Sequence, residues 1–194
     1  ASSRASSPGC SPDGRSGAAG PDARARRFLL ACATVITDNQ PPMTAATRPL
    51  IRLLRAELAD ILDLGQTPMG HKRVVNILGG SFEGEKLSGV VLPGGADWLL
   101  VRTDGTIELD ARYTLRTNAG ELVQVTSQGM RSGPPEVLAR LGRGEDVDPS
   151  QYYFRTVMRF ETSAPGLLYL TRMLAVAYGR RTKNAVELKV DEIL

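Results

Sequence analysis

Residues that could do chemistry gather in one stretch of the sequence, from Ser88 to Val123. Asp97 precedes the only tryptophan, Trp98, and Asp110, Arg112 and Tyr113 follow on the next segment. A carboxylate can act as a general base or acid, arginine can hold an anion, and tyrosine can donate a hydrogen bond. These residue types indicate a site that transfers protons or binds an anion.

Other kinds of catalytic site find little support in the sequence. The single histidine, His71, has no second histidine or cysteine pair beside it, so we predict no metal site. One histidine also gives no Ser-His-Asp set that spacing could suggest. Neither GxxxxGK[ST] nor GxGxxG after a strand occurs, which disfavours nucleotide-dependent enzymes. We therefore predict that the protein uses no cofactor.

Alternation of side chains along two segments separates apolar from polar faces. In TIELDARYTLRT one face is polar throughout, and it either faces solvent or lines the interior of a barrel; it carries Glu108, Asp110, Arg112, Thr114 and Arg116. In YYFRTVMRFET one face is typical of a core, with Tyr152, Phe154, Thr156, Met158 and Phe160. The other face of that segment carries Tyr153, Arg155, Val157, Arg159 and Glu161.

Short strands joined by tight turns must position these residues. Strand patterns include HKRVVNILGG, EKLSGVVLPGG, ELVQVTSQG, MLAVAYGRRT and NAVELKVDEI, and Asp104-Gly105 predicts a hairpin. PPEVLARLGRGE predicts a short helix, whereas PLIRLLRAELAD fits neither period. We predict an all-β fold: a closed antiparallel barrel, calycin-like and meandering, of about eight to ten strands with one or two short helices. A sandwich is the alternative.

The first 47 residues differ in composition from the rest. They are rich in Ser, Gly, Pro, Ala and Arg, and we predict a disordered or non-native extension, followed by a barrel domain over residues 48–194. FLLACATVI could instead be the apolar part of a signal peptide. Both cysteines, Cys10 and Cys32, lie in this part, so the body needs no disulfide, which fits a cytoplasmic protein.

Charge and hydropathy argue against two classes of partner. The net charge is only +3, and much of the positive charge lies in the first 27 residues. No cluster of basic residues follows Met43, so we predict no nucleic-acid partner. No apolar run approaches the roughly 18 residues of a membrane span, so we predict no membrane association.

Four stretches together resemble a known family. GGSFEG, GGADW, DARYTLRT and YYFRTVMRFET are similar to those of the domain of unknown function 3237 family, also called uncharacterised protein family 0311. The resemblance runs from about Leu50 to Val190. It implies an all-β barrel and a homodimer formed through an outer sheet face. It also implies a small-molecule ligand of an aromatic or polyketide-like kind.

The positions that match the family's polar motifs provide the candidate site. The candidate catalytic residues are Glu83, Asp97, Arg112 and Tyr113. The candidate ligand-binding residues are Trp98, Arg131, Tyr153, Arg155 and Glu161. Two functions stay open: a cofactor-independent enzyme for proton transfer, cyclisation or isomerisation, and a barrel that binds or carries a small hydrophobic or anionic ligand without turnover.

The Pro93-Gly94-Gly95 segment bears on which of these residues reach a pocket. We expect it to bend the chain and deliver Asp97 and Trp98 to one mouth of the barrel. Because adjacent strand residues point to opposite faces, only one of the two can face inward. We favour Trp98 and Arg112 inward, as an apolar wall and an anion clamp. If Asp97 faces inward instead, it is the candidate general base.

Overall fold

The computed structural model describes residues 45–194, which form nine antiparallel strands and three short helices. The strands are β1 (Thr47–Thr67), β2 (Gly70–Glu83), β3 (Gly89–Val91), β4 (Gly95–Val101), β5 (Ile107–Thr117), β6 (Leu122–Ser132), β7 (Tyr153–Glu161), β8 (Ala175–Arg181) and β9 (Ala185–Ile193). Helix α1 spans Pro135–Gly142, and 3₁₀ helices span Pro149–Gln151 and Pro165–Arg172. The predicted N-terminal extension, the signal-peptide alternative and both cysteines lie almost wholly outside the described residues.

The strand pairings form a closed ring. Strands β4 to β9 pair in chain order, β9 pairs with β1, β1 with β2, and β2 with β4. Every pairing is antiparallel. The predicted all-β antiparallel barrel is therefore confirmed, because a ring of paired strands is not a sandwich of two separate sheets.

Strand β1 contains the segment whose periodicity was ambiguous. Its pairing with β9 shifts register between Pro49 and Ile51 and again between Ile51 and Leu54. Each shift changes which residues face the interior, so Leu50 and Ile51 are both buried although they are adjacent. Bulges of this kind explain why the apolar residues of this segment follow no single period.

Strands β3 and β4 occupy the same position in the ring, one after the other, between β2 and β5. Val91 pairs with Gly80 and Leu115, and after the interruption Gly95 pairs with Ile77. Proline has no N–H to donate, and Gly94 adopts a positive φ of 99°, so the chain turns between the two strands. The expected bend at Pro93-Gly94-Gly95 is present.

The two ends of the barrel are closed by different elements. Helix α1 buries Val137 and Leu141, and it lies beside the β4–β5 turn, where Leu138 approaches Gly105. The 3₁₀ helix Pro165–Arg172 buries Leu167 and Leu170 in the same core. The helix predicted after Pro134 is thus present. Together these elements shield the barrel interior from water at its ends.

Candidate functional site

A cavity lies inside the ring. Its volume is about 50 Å³. Most of its lining is apolar and comes from β1, β2, β5, β7 and β9: Leu54, Ala56, Leu58, Ile77, Leu109, Ala111, Phe154, Val186 and Leu188. Four polar residues complete it: Asp97, Tyr113, Ser127 and Thr156. A water needs about 10–15 Å³ on this measure, so the cavity has room for a few waters or a very small ligand.

Asp97 is the only charged residue that lines this cavity. It lies on β4 opposite Val75 and Ala111, and its Oδ1 accepts a hydrogen bond from the backbone N–H of Asp110 at 3.1 Å. Burial raises the pKa of Asp97 to about 6, against the opposing effects of that hydrogen bond and of Arg131. The carboxyl therefore changes protonation state close to neutral pH, as a general acid or base needs to do.

Tyr113 places an unused hydroxyl in the same cavity. The residue is buried, and its hydroxyl oxygen has no hydrogen-bond partner among residues 45–194. Burial, and secondarily the negative charge of Asp97, raises the pKa of Tyr113 above its usual value. The phenol therefore stays neutral and keeps a proton to donate. A buried polar group without a partner carries a desolvation cost, which a ligand or water in the cavity would relieve.

Ser127 and Thr156 form a buried pair on neighbouring strands. The Ser127 hydroxyl donates to Thr156 Oγ1 at 2.9 Å. Each hydroxyl retains capacity for a further hydrogen bond. Both residues line the cavity, so they add neutral polar contacts to the lining that Asp97 shares.

Two arginines lie toward the α1 end of the barrel. Arg131 follows Ser127 and Gly129 on the inward face of β6, and its guanidinium lies 5.8 Å from the centre of the Phe154 ring. Its Nε is buried and has no hydrogen-bond partner in the described part of the chain. Burial, and secondarily repulsion by Arg181, lowers the pKa of Arg131 to about 10, so the group stays charged at neutral pH.

Arg181 is anchored more firmly than Arg131. Its Nη1 donates to the carbonyl oxygen of Ala185 at 3.0 Å and to that of Thr182. Its backbone N–H donates to the Tyr152 hydroxyl at 3.0 Å. Burial lowers the pKa of Arg181, and Asp97 acts in the opposite direction, so the two side chains interact electrostatically.

The structure overturns the favoured orientation of Trp98 and Arg112. Trp98 is 45% exposed, and the Arg112 guanidinium is exposed and lies 3.7 Å from the carboxylate of Asp110. Both residues are on the outside of the barrel. Burial of Leu99 on β4 and of Leu109 and Leu115 on β5 sets the phase of these strands. Asp97 and Tyr113 share that phase and face inward.

The other candidate residues do not gather at one place. Arg131 lies inside the barrel with Asp97 and Tyr113. Glu83 is exposed and pairs with Arg52 on the surface. Arg155 packs its guanidinium against the rings of Tyr153 and Tyr178 on the outer face, 5.4 and 4.5 Å from their centres. Tyr153 and Glu161 are also exposed. The predicted residues therefore divide between an interior group and scattered surface positions.

Three interior polar residues were missing from the candidate set. Ser127 continues the buried alternation of Val123 and Val125 on β6. Thr156 lies on the face of β7 that the sequence assigned to the core, and Arg181 follows buried Ala175 and Ala177 on β8. The sequence does contain a signal for these three residues, because a polar residue in phase with a run of apolar residues predicts a polar group inside the barrel.

Residues 45–194 contain neither a cluster of metal-ligating side chains nor a membrane-spanning helix. Within residues 45–194 no group of three or more His, Cys, Asp and Glu side chains could hold a metal ion. His71 pairs with Asp63, at 2.5 Å between Nε2 and Oδ1. No helix in the same range is both long and apolar enough to cross a membrane.

Comparison with known proteins identifies the family. Residues 47–193 match the family described as protein of unknown function, DUF3237. The chain belongs to this family. An UPF0311 protein of Rhodopseudomonas palustris (strain ATCC BAA-98 / CGA009) is 41% identical over 141 residues, which cover 73% of this chain and 92% of that protein. An UPF0311 protein of Clostridium acetobutylicum is 37% identical over 125 residues, or 64% and 79% of the two chains.

Solved structures agree with the fold. A conserved protein of unknown function from Rhodopseudomonas palustris gives a TM-score of 0.74 at 39% identity, covering 80% of this chain and 99% of that one. A beta-barrel like protein from Acinetobacter baumannii AYE gives a TM-score of 0.69 at 37% identity, with the same coverage of both chains. An enzyme from Penicillium herquei gives 0.55 at 18% identity, covering 78% and 98%, and this likeness concerns the fold alone.

Proposed function

We propose that the barrel binds a small carbonyl compound and that Asp97 transfers a proton within it, without a cofactor. One observation carries this proposal: a carboxyl with a pKa of about 6 shares a mainly apolar cavity with the unpaired hydroxyl of Tyr113. A carboxylate base combined with a tyrosine hydrogen-bond donor is a known solution for enolisation at neutral pH.

The reaction would need only the two groups described. Ionised Asp97 removes a proton from a carbon next to the carbonyl, and the electron pair moves onto the carbonyl oxygen. The Tyr113 hydroxyl donates a hydrogen bond to the oxyanion as it forms. Protonated Asp97 then returns the proton to the same or another carbon, which gives exchange or isomerisation. No oxidant or reductant takes part.

The cavity constrains the substrate. Binding sites for drug-sized ligands usually measure about 300–1,000 Å³, whereas this one measures about 50 Å³. The aromatic or polyketide-like ligand that the family resemblance suggests would fit only if the barrel widened, whereas a small ketone or keto acid demands less movement. The apolar lining favours a compact hydrocarbon body on either ligand.

Deuterium exchange tests the proposal. A panel of small enolisable carbonyl compounds is incubated with the protein in D₂O, and loss of C–H signal is followed by NMR. We expect at least one compound to exchange faster than in buffer, Asp97→Asn to abolish the increase, and Tyr113→Phe to reduce it about 10–100-fold.

Glu108→Gln is the matched control, because Glu108 is on the outer face of the adjacent strand, where it pairs with Arg102. It should leave the exchange rate unchanged. Compounds that bind, by calorimetry, without any exchange would support the carrier alternative and contradict proton transfer. Equal loss in Asp97→Asn and Glu108→Gln would also contradict it.

Two further expectations stay predictions: a homodimer and a cytoplasmic location. The outer sheet face offers one surface for a dimer. Trp98 and Val157 lie in one cross-strand row, separated by Asp110 and Gln128, and Met130 is beside them. These three apolar side chains are 40–45% exposed, as residues at a subunit interface would be in an isolated chain.

A further inference from the structure

The α1 end of the barrel interior holds more positive than negative charge. The charged side chains at this end are the positive Arg131 and Arg181 and the negative Asp97. Asp97 contributes at most one negative charge against two positive ones. A buried charge without a partner is costly, so this end of the barrel favours an additional anion.

Arg131 is the group that most lacks a partner. It makes no ion pair with any residue of the described range, and its Nε–H points into protein without an acceptor. Arg181, by contrast, is tied to two backbone carbonyls. A guanidinium offers parallel N–H donors that match the two oxygens of a carboxylate. Arg131 is therefore a carboxylate-binding group without its carboxylate.

The position of Arg131 connects it to the cavity. Phe154 lines the cavity on one side and contacts the Arg131 guanidinium with its ring, 5.8 Å from centre to Cζ. Arg131 lies on the same strand as Ser127, two inward-facing positions along. A ligand whose body packs in the cavity beside Phe154 can thus reach Arg131 with a group at its end.

We propose that the ligand is a small carboxylate whose anionic group binds Arg131, with Arg181 supplying additional positive potential. This assignment rests on the proposed function and specifies its substrate class as a keto acid. Carboxylate binding at the α1 end would leave the carbonyl of the ligand near Asp97 and Tyr113. Arg73 adds to the positive field from the rim, although it is itself paired with Asp63.

The test uses acetate and propionate as probes, with acetamide and propionamide as neutral molecules of the same shape. The NMR signal of the Arg131 Nε–H is followed at pH 8 and constant ionic strength. We expect a saturable shift with both carboxylates, at about millimolar affinity for ligands this small, and none with the amides. Carboxylate binding should also raise the melting temperature. Arg131→Met should remove both the NMR signal and this rise.

Arg112→Met is the matched control, since it removes an arginine from the outer face of the neighbouring strand β5. It should keep carboxylate binding. Asp97→Asn should strengthen binding several-fold at pH 8, because it removes the competing negative charge. Arg131→Gln provides a second variant if Arg131→Met does not fold.

The outcomes separate this inference from the proposed function. Carboxylates that leave the Arg131 signal unmoved overturn the anion site, whether or not carbonyl compounds exchange deuterium. Equal effects of Arg131→Met and Arg112→Met also overturn it, since binding would then reflect the general positive charge. Carboxylate binding at Arg131 without any deuterium exchange keeps the anion site and removes the proton transfer.

Discussion

Asp97 occupies a position that costs stability when it is ionised. An isolated aspartate has a pKa near 3.8, and burial in the barrel raises that of Asp97 to about 6. The folded protein therefore binds a proton more tightly than the unfolded chain does. Between these two pH values, stability falls as the pH rises. A residue kept at such a cost at the centre of a cavity is a reasonable candidate for function.

Asp97→Asn should therefore stabilise the protein at pH 8. A difference of about two pKa units between the folded and unfolded states corresponds to about 3 kcal/mol in the free energy of unfolding. The gain should decrease as the pH falls through 6 and vanish below about 4, where the wild-type carboxyl is neutral in both states. Urea unfolding of both proteins from pH 4 to pH 8 measures it. A gain independent of pH would show that burial does not shift this carboxyl.

The proton-transfer rate should rise over the pH range in which ionisation of Asp97 lowers the stability. Only ionised Asp97 can act as the base, so deuterium exchange should rise with pH and level off, with its midpoint at about pH 6. NMR exchange rates at constant ionic strength provide the profile. A midpoint that remained after Asp97→Asn would assign the titration to another group.

The sequence identified the chemistry of this site better than its orientation. Asp97, Tyr113 and Arg131 were recognised by residue type and by family resemblance. The choice between Asp97 and Trp98 depends on strand phase: a large aromatic residue beside glycines favours Trp98 inward, whereas the burial of Leu99 places Asp97 there. Apolar burial decides phase more strongly than the size of one side chain, since a one-residue shift would expose every core residue of the strand.

At the level of elements, the closest contacts between strands occur at glycine, which has no side chain. Gly80 on β2 has a φ of +142°, and a Cβ built there would lie 1.9 Å from the carbonyl oxygen of Arg55 on β1. The two backbones approach closely where the sheet bends, and no side chain fits between them. The β1–β2 pairing, which closes the ring, thus depends on this glycine.

Gly80→Ala should accordingly cost roughly 3 kcal/mol, from backbone strain and steric overlap together. Gly142→Ala is the matched control, because Gly142 lies in α1 with no atom within 4 Å of the new Cβ. It should be neutral or gain about 0.5–1 kcal/mol from helix propensity. Thermal unfolding of both variants compares them; equal effects would contradict the close-contact explanation.

Elements with local signals were predictable from the sequence. The hairpin at Asp104-Gly105 and the helix after Pro134 depend on turn and cap residues a few positions apart. Strand β1 does not have such a signal, because its bulges arise where it pairs with β2 and with β9, and β9 lies at the other end of the chain. Pairing at long range determines which of its residues are buried.

At the scale of the molecule, the ring defines the part of the chain that must be present. Thr47 already pairs with Ile193, and β1 contributes buried residues from Leu50 onward. A chain that starts at Met43 should keep its melting temperature within a few degrees. One that starts at Leu53 removes part of the β1–β9 pairing and should unfold at a lower temperature or fail to fold. Calorimetry of both tests the proposed domain boundary.

The predicted homodimer is also a property of the whole molecule. Trp98 is the only tryptophan, so its fluorescence reports on the outer face alone. Dilution from micromolar to nanomolar concentration should shift its emission to the red as the subunits separate, and Trp98→Lys should give a monomer by light scattering. A monomer mass for the wild type at micromolar concentration would contradict the dimer.

The two ends of the described chain meet. The backbone N–H of Leu194 donates to the carbonyl oxygen of Ala46 at 2.9 Å, beside the Thr47–Ile193 pair. A few linker residues could therefore join them, and new termini could be opened at the exposed β5–β6 turn around Gly120. The barrel is thus suited to circular permutation, and to insertion into a surface loop of a reporter protein. In such a fusion, occupancy of the cavity would be read as a change in the reporter's signal.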